Sequence, residues 1–343
     1  MTEETTTRTP RAPGEGRSRP LAVERYTRDR QPAWDEFVRA SKNGTFLFLR
    51  DYMDYHADRF TDHSLLVHDD AHRLIALLPA HQEGDALVSH GGLTFGGFVA
   101  GDGMKIGLML GVFDAALGYL HSRGVRRVLY KAIPHIYHRV PAEEDRYALL
   151  AAGGRWIRSS PVAVVPRDQR LPYQERRQRG VKKAQAQGLA IARSRDFEGF
   201  WDVLSARLDK SYLARPVHTA AEIQLLSGRF PEHIKLFACH RDAAMVAGVV
   251  VYESARVARA QYIASTDAGR AVGAVDLLLD HLLADVYRAK PYFDLGTSEV
   301  DAGVVNRGLM DQKEGFGART VSQDHFALDL TDWRPGTVLK ATT

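Results

Sequence analysis

The sequence predicts an α/β protein of the α+β kind, made of two tandem domains of similar design, each a mixed twisted sheet flanked by helices. The first observation is length, because 343 residues suffice for two domains with a full core in each. The second is composition, since 45% hydrophobic and 26% charged residues are typical of a globular protein. The third is an internal repeat of predicted strands and helices.

The repeat relates residues 64–132 to residues 234–295. Each stretch has the pattern of two strands around a tight turn, a third strand, a glycine-containing loop, a helix and a fourth strand. Repetition of one α/β unit favours two similar domains over one large sheet. We therefore expect a disordered tail over residues 1–20, a first domain over 21–165 and a second over 166–343.

In the first unit, strands are predicted at residues 64–68, 73–80 and 87–90, followed by a glycine-dense loop at 91–97. Glycine permits close backbone approach to a ligand, so His90 and Thr94 are candidate substrate-binding residues. The alternative is a tight structural connection. The glycine spacing does not match a dinucleotide-binding fingerprint.

The second domain begins with the strongest charge feature of the chain, a basic segment over residues 167–195. Residues 174–187 are predicted to form a helix that ends at Gly188. Spacing places Arg176, Arg179 and Lys183 on one face, with Arg177 beside them. This face is either an anion-binding surface or an ordinary solvated helix face.

A third candidate region covers residues 293–317. A short apolar strand ends at Gly296, a polar loop follows at 297–301, and a helix is predicted over 304–314. Ligands of open α/β sheets sit just past such strand ends. Glu299, Asp301 and His90 are candidate proton acceptors, and Tyr262 on the strand at 257–264 is a candidate for orienting a leaving group. Lys313 is either a functional cation or a charge that complements the helix end.

Composition indicates which partners, metal sites and cellular locations are compatible with the sequence. The net charge of +4 mildly favours an anionic partner. Cys239 is the only cysteine, which excludes an internal disulfide, and His135 with His138 lacks the third ligand that a metal site needs. The sequence has no signal-peptide pattern and no apolar run of the roughly 20 residues that span a bilayer. A soluble cytoplasmic protein is therefore expected.

The predicted element order resembles that of the GNAT acyltransferase core, and two such units joined by a basic helix resemble the Fem-type (FemABX) family. Three stretches carry this resemblance: Glu175-Arg-Arg-Gln-Arg-Gly-Val-Lys-Lys-Ala-Gln-Ala-Gln-Gly188, Phe293-Asp-Leu-Gly296 and Gly308-Leu-Met-Asp-Gln-Lys-Glu-Gly-Phe-Gly317. The resemblance implies transfer of an amino acid from aminoacyl-tRNA to an amine of a peptidoglycan precursor, an amino sugar or a small natural product. Aminoacyl-tRNA is then a co-substrate, and no bound cofactor is expected.

The resemblance also implies roles for individual residues. Lys313 falls on the family lysine that contacts the acceptor end of the tRNA, and Arg176, Arg177 and Arg179 fall in the region that contacts phosphates of the acceptor substrate. Two departures are Gln312, where the family often has an aromatic residue, and the lack of a long helical hairpin insertion.

Two other functions are open on the sequence. An acyl-CoA-dependent N-acetyltransferase would hold pyrophosphate on the backbone ahead of a helix predicted at 272–288. Gly269, Arg270 and Gly273 are the candidate residues, because residues 270–275 half-match the GNAT loop and fail at Val275. The third hypothesis is a non-catalytic protein that binds RNA or another anion.

Overall fold

A computed structural model describes residues 21–212, 216–301 and 303–340; the predicted tail at residues 1–20 lies outside these ranges. The strands, in chain order, are β1 (Ala22–Arg25), β2 (Thr61–Asp62), β3 (Leu65–His68), β4 (Leu74–Leu78), β5 (His81–Glu83), β6 (Ala86–Val88), β7 (Val99–Ala100), β8 (Arg127–Lys131), β9 (Arg155–Pro166), β10 (Ala190–Ser194), β11 (Ile234–Arg241), β12 (Ala244–Glu253), β13 (Val257–Ser265), β14 (Tyr292–Thr297), β15 (Glu299–Asp301), β16 (Val304–Val305) and β17 (Arg319–Asp329).

The α-helices, in the same order, are α1 (Gln31–Ala40), α2 (Arg50–Met53), α3 (Ile106–Ser122), α4 (Glu144–Ala151), α5 (Glu175–Ala186), α6 (Phe197–Tyr212), α7 (Ala220–Arg229), α8 (Asp267–Val272), α9 (Ala274–His281), α10 (Arg307–Glu314) and α11 (Thr337–Lys340). A π-helical turn, Leu282–Val286, extends α9. No helix among the described residues is both long enough and apolar enough to cross a membrane.

The strands form one large mixed sheet, one small sheet and one two-stranded ribbon. The large sheet has eleven strands in the order β10-β11-β12-β13-β14-β9-β17-β8-β6-β5-β2, and the small sheet has the order β1-β3-β4-β7. Each half contains a parallel pair on either side of its helical connection, β6 with β8 and β13 with β14. The repeated strand–helix–strand order and the mixed sheets flanked by helices confirm the predicted fold class. The expectation that the repeat excludes one large sheet is wrong, because β8 of the first half and β9 both pair with β17, so the strands of both halves belong to one sheet.

Three large apolar cores hold the described layers together, and a small fourth one joins α5 to α9. One lies under α3 in the first half and another under α9 in the second. The third joins the halves, because it combines Phe46 and Tyr52 of the first with Phe200 and Trp201 of the second. The hydroxyls of Tyr52 and Tyr252 are 3.3 Å apart within this shared core. The two halves therefore bury their apolar faces against each other.

The helix predicted over residues 272–288 is interrupted. Gly273 adopts a left-handed conformation (φ 81°), so it ends α8 and precedes α9. The helix predicted over 304–314 also starts later than expected, because Val304 and Val305 pair with β15 instead. The side chain of Asn306 accepts a hydrogen bond from the Leu309 amide (3.0 Å), and this cap fixes the start of α10.

The strand predicted over residues 87–90 ends at Val88. His90 has φ 54°, a left-handed conformation in which no strand can continue. The capping box that Thr219 and Glu222 predict for α7 is formed, with both reciprocal hydrogen bonds present.

Candidate active site between two parting strands

The candidate site lies where two parallel strands separate. β13 pairs with β14 only from Val257 to Arg259, opposite Tyr292 to Asp294. β13 then continues to Ser265, while β14 turns away at Gly296 (φ 77°). The strands open a wedge, and backbone groups on its two walls lack their usual strand partner.

Lys313 fills this wedge from α10. Its ammonium donates hydrogen bonds to the carbonyl oxygens of Gly296 (3.1 Å) and Thr297 (2.7 Å) at the end of β14. The side chain is buried, and burial lowers the pKa of Lys313 to about 8, partly offset by the nearby Asp294 carboxylate. An ammonium has three N–H donors, so one remains for a ligand.

A β-bulge lies on the opposite wall of the wedge. Ala260 faces Val251 and Tyr262 faces Val250, so Gln261 between them has no partner residue in β12. A bulge twists a strand and redirects its peptide groups, and bulges occur often beside active sites. The wedge therefore has an irregular backbone wall on β13 and a cation on the β14 side.

A buried ion pair between Arg259 and Asp294 lies where the pairing of β13 with β14 ends. The Asp294 carboxylate accepts hydrogen bonds from Arg259 Nη1 (2.5 Å), from the Tyr137 hydroxyl (2.6 Å) and from the Gly296 amide (2.6 Å). Burial acts to lower the pKa of Arg259, but Asp294 outweighs it and raises that pKa, so the guanidinium stays charged. Because Tyr137 belongs to the first half, this network connects the two halves at the site.

The wedge opens into a cleft of about 490 Å³. Four cations line the cleft against one carboxylate, that of Asp276; the cations are Arg177, Arg207, Arg270 and Lys313. The rest of the wall is mainly apolar, with Leu208, Ile263 and Phe316 among its residues. The cleft therefore suits a ligand that carries both negative charge and apolar or stacking surface.

Helix α5 covers the N-terminus of α9 at the edge of this cleft. Arg177 Nη1 donates a hydrogen bond to Asp276 Oδ1 (2.5 Å), which places a carboxylate in the first turn of α9. A Cβ on Gly273 would lie 2.6 Å from the Gly180 carbonyl oxygen, so the backbones of α5 and α9 are in direct contact. A helix N-terminus filled in this way has little room for a phosphate.

Replacing Gly180 with alanine tests this contact. The new methyl would overlap Asp276 Oδ2, so we expect the free energy of unfolding to fall by about 1–3 kcal/mol. The matched control is Gly228→Ala on α7, where a Cβ meets nothing within 4 Å. That control should stabilise the helix by up to about 1 kcal/mol. Equal melting temperatures for the two variants would contradict a close α5–α9 contact.

The predicted basic face of α5 divides in two. Arg176, Arg179 and Lys183 are exposed, whereas Arg177 is turned inward against α9. Arg176 pairs with Asp311 of α10 at 2.8 Å, and Arg179 pairs with Glu175 at 3.6 Å. The exposed residues form a surface next to the cleft rather than part of its wall.

The three residues predicted to bind pyrophosphate, Gly269, Arg270 and Gly273, do not all lie in the cleft. Arg270 and Gly273 line the cleft, and Arg270 forms an ion pair with Asp267. Gly269 is buried in α8, where a Cβ would overlap the Val246 carbonyl oxygen. Packing against β12 therefore explains this glycine without a ligand.

Tyr262 and Glu299 are not among the residues that line the cleft, and they lie apart from each other, Tyr262 against Trp201 and Glu299 against strand β9. The Tyr262 hydroxyl is 2.5 Å from Nδ1 of His218, and burial lowers the pKa of His218 to about 4, so this imidazole is neutral at pH 7. Burial acts to raise the pKa of Glu299, but the hydrogen bond from Ser160 (2.6 Å) and the ion pair with Arg158 hold it below its usual value. Glu299 is therefore an ionised carboxylate that already has two partners. The side chain of Asp301, another candidate acceptor, lies outside the described residues.

His90 and Thr94 lie in the first half and do not line the cleft. His90 is buried among the rings of His56, Phe60 and His81, and burial lowers the pKa of His90 to about 2. The Thr94 carbonyl oxygen accepts a hydrogen bond from Gln323 (2.5 Å). The glycine loop is therefore fixed to neighbouring strands, as its structural alternative expects.

Sequence reasoning missed Arg259, Asp294 as a site residue, and Arg207. A signal was present for the first two, because each is a charge inside an otherwise apolar strand, and a buried charge needs a partner. Their pairing across 35 residues was not visible without the sheet register. No comparable signal marks Arg207 within the amphipathic α6.

Comparison with known proteins supports the assignment of the fold. Residues 173–302 match the family model of an acetyltransferase (GNAT) domain. The solved structure of FemX is similar over 91% of this chain and 98% of its own, with a TM-score of 0.65 and 11% identity. No curated protein matches the sequence significantly.

Two further solved structures have the same arrangement. The C-terminal domain of a putative lysylphosphatidylglycerol synthetase from Agrobacterium fabrum covers 92% of this chain and 95% of its own, with a TM-score of 0.56 and 12% identity. A tandem GNAT protein from the clavulanic acid biosynthesis pathway is similar over 92% of this chain and 100% of its own, with a TM-score of 0.50 and 10% identity. The predicted acyltransferase class is confirmed by the GNAT domain. The chain has the Fem-type tandem form of the GNAT acyltransferase fold.

Proposed function

We propose that the protein transfers an amino acid from aminoacyl-tRNA to an amine acceptor, with the ester carbonyl held in the wedge between β13 and β14. The observation that carries this proposal is the cationic cleft that ends at Lys313. The nucleotide at the 3′ end of a tRNA brings phosphates and a stacking base, and the cleft offers cations and apolar walls to both.

The chemistry needs few catalytic groups. The acceptor nitrogen attacks the ester carbonyl, a C–N bond forms, and the C–O bond to the ribose breaks. One proton leaves the nitrogen and one reaches the ribose oxygen, so the proton count balances. Because an aminoacyl ester is already activated, positioning and stabilisation of the oxyanion supply much of the rate.

We propose a role for each candidate residue. Lys313 is proposed to contact the ester end of the donor with its remaining N–H. Tyr262, held by His218, is proposed to orient or protonate the leaving oxygen, and Glu299 to receive the proton from the amine. The exposed face of α5 is proposed to contact phosphates of the substrates.

The acceptor is proposed to be an amine of a peptidoglycan precursor, an amino sugar or a small natural product. His90 and Thr94 remain candidates for binding it through the first half. His90 is buried and Thr94 is half-buried, which favours an indirect role in which they shape the loop at residues 91–97.

The second candidate is an acetyl-CoA-dependent N-acetyltransferase, which the description of the matching GNAT domain favours. It needs pyrophosphate on the N-terminus of α9, through Gly269, Arg270 and Gly273. The Asp276 carboxylate and the α5 backbone already occupy that position. This obstruction supports aminoacyl-tRNA over CoA as the donor.

A donor assay tests the proposal. Purified protein is incubated with mixed radiolabelled aminoacyl-tRNAs or with labelled acetyl-CoA, together with a panel of amines, with and without RNase. We expect labelled product from aminoacyl-tRNA that RNase abolishes. Product from acetyl-CoA alone would establish the second candidate, and RNA binding without turnover of any donor would favour the non-catalytic alternative.

The lowered pKa of Lys313 predicts a pH dependence of donor binding. Below about pH 8 Lys313 is protonated and attracts a phosphate, and above that pH it becomes neutral. We therefore expect the affinity for an RNA trinucleotide that ends in CCA to fall as pH rises through about 8. Lys313→Arg keeps its charge and should flatten this pH profile. A wild-type affinity that does not change from pH 7 to 9.5 would contradict a charge role for Lys313.

A further inference from the structure

A second cluster of cations lies at the far end of the second half. Two adjoining cavities, of about 500 and 100 Å³, meet at Tyr287 and Lys290. Six cations line them against a single carboxylate, that of Glu253; we call these six residues the basic pole, and they are Arg167, Arg170, Arg193, Lys235, Arg288 and Lys290. This excess of charge has no role in the chemistry of the wedge.

The central cations of the pole are held in place. Lys235 and Lys290 both contact the Glu253 carboxylate, at 2.8 and 2.9 Å, and Lys290 also donates to the Ser254 carbonyl oxygen (2.7 Å). Arg193 donates to the Pro231 carbonyl oxygen (2.9 Å). Beyond the cavity lining, Arg167 pairs with Asp168 at 2.7 Å and Lys235 lies 3.9 Å from Glu232. Cations fixed in this way lose little entropy on binding an anion, and the six cations still outnumber these three carboxylates.

The pole and the cleft lie at opposite ends of the same strand. Val257 begins β13 near the pole, and Ser265 ends it at the cleft. At the usual rise per residue of a strand, these two residues are about 26 Å apart. A polyanion on the surface reaches both ends, whereas a small acyl donor does not.

Basic residues continue from the pole towards the cleft. The Arg170 guanidinium lies 4.7 Å from the centre of the Tyr173 ring, and Tyr173 meets Phe316 of the cleft edge-on at 5.3 Å. The exposed cations Arg176 and Arg179 follow on α5. The pole, the linker before α5 and α5 itself thus form a basic track on one side of the second half.

We infer that the basic pole is a docking surface for the double-stranded stem of an RNA whose 3′ end lies in the cleft. This inference rests on the proposed function and adds a direction to it: the stem runs from the cleft along α5 and the linker to the pole. Double-stranded RNA is recognised mainly through its phosphates and shape, which the fixed lysines and exposed arginines match. The pole therefore binds without regard to base sequence.

The test compares two triple variants of the full chain. The pole variant carries Arg193→Gln, Arg288→Gln and Lys290→Gln; the matched control carries Arg123→Gln, Arg127→Gln and Arg155→Gln, which are exposed cations of the first half. Binding of uncharged tRNA and of an RNA trinucleotide that ends in CCA is measured at several salt concentrations. The trinucleotide is too short to reach the pole from the cleft.

We expect the pole variant to bind tRNA at least tenfold more weakly than the control, with the slope of log K against log salt reduced by about 2–3. Trinucleotide binding should be the same in both. Equal tRNA affinity and slope in the two triple variants would overturn the docking surface. Binding of inorganic phosphate is measured in the same two variants. Loss of phosphate binding in the pole variant, with tRNA binding equal to that of the control, would also overturn the docking surface, because the pole would then be a small-anion site.

The docking surface and the proposed function fail in different ways. Uncharged tRNA cannot donate an amino acid, so its binding reports on the surface alone. Pole-dependent tRNA binding without aminoacyl transfer would contradict the proposed function only. Aminoacyl transfer with tRNA binding that ignores the pole would contradict the docking surface only.

Discussion

Replacing Lys313 with alanine is expected to lower the rate of acyl transfer at least about 100-fold, the cost of removing one preorganised donor from a developing charge. The side chain is buried in the wedge and holds the carbonyl oxygens of Gly296 and Thr297. Its loss therefore removes a cation from the end of the cleft and frees the end of β14. Single-turnover transfer from labelled aminoacyl-tRNA measures the effect.

Two further variants separate this loss from damage to the fold. Lys313→Met keeps the length of the side chain without its charge and should be as inactive as Lys313→Ala. Burial of Lys313 disfavours its charged form, so the methionine variant should be at least as stable as the wild type at pH 7. Lys105→Ala, at an exposed position in the first half, is the surface control. Full activity in Lys313→Met would refute an electrostatic role.

Asp294→Ala should produce the largest loss of stability, about 3–5 kcal/mol in the free energy of unfolding. Asp294 is fully buried, and its removal leaves the Arg259 guanidinium without its carboxylate and the Tyr137 hydroxyl without its acceptor. Denaturant unfolding measures the change. Asp311→Ala is the matched control, because its pair with Arg176 is half exposed and should contribute less than about 1 kcal/mol.

A double variant tests whether the charge itself causes this loss. In Asp294→Leu combined with Arg259→Met, both charges are replaced by apolar side chains of similar size. The double variant should be more stable than Asp294→Ala, because no charge remains buried without a partner. If it unfolds as easily as the single variant, shape at this position matters more than the ion pair.

Local structure was largely predictable, because its causes are local. The capping box of Thr219 and Glu222 follows from spacing alone, and so does the end of α5 near Gly188. Alternation and turn residues located β3, β4 and β13. Lys313 was placed in the last turn of a helix after a strand end, as the structure has it.

The geometry of the site depended on contacts between distant residues. Arg177 and Arg176 are adjacent in sequence, yet one turns inward because Asp276 lies 99 residues away on α9. The wedge itself arises from the register of β13 and β14, which pair for three residues and then part. Composition and periodicity do not determine which residues of two strands pair, so the sequence alone could not predict the cleft.

The central position of β17 has a consequence for how the chain reaches its native state. This strand is inserted between β8 and β9, although it follows β9 by more than 150 residues. Until the second half has been made, β8 lacks one sheet neighbour, β17, and β9 lacks both of its neighbours, β14 and β17. Long-range pairing of this kind slows folding and leaves open edges that invite association with other chains. We therefore expect the large sheet to be completed only after β17 has been synthesised.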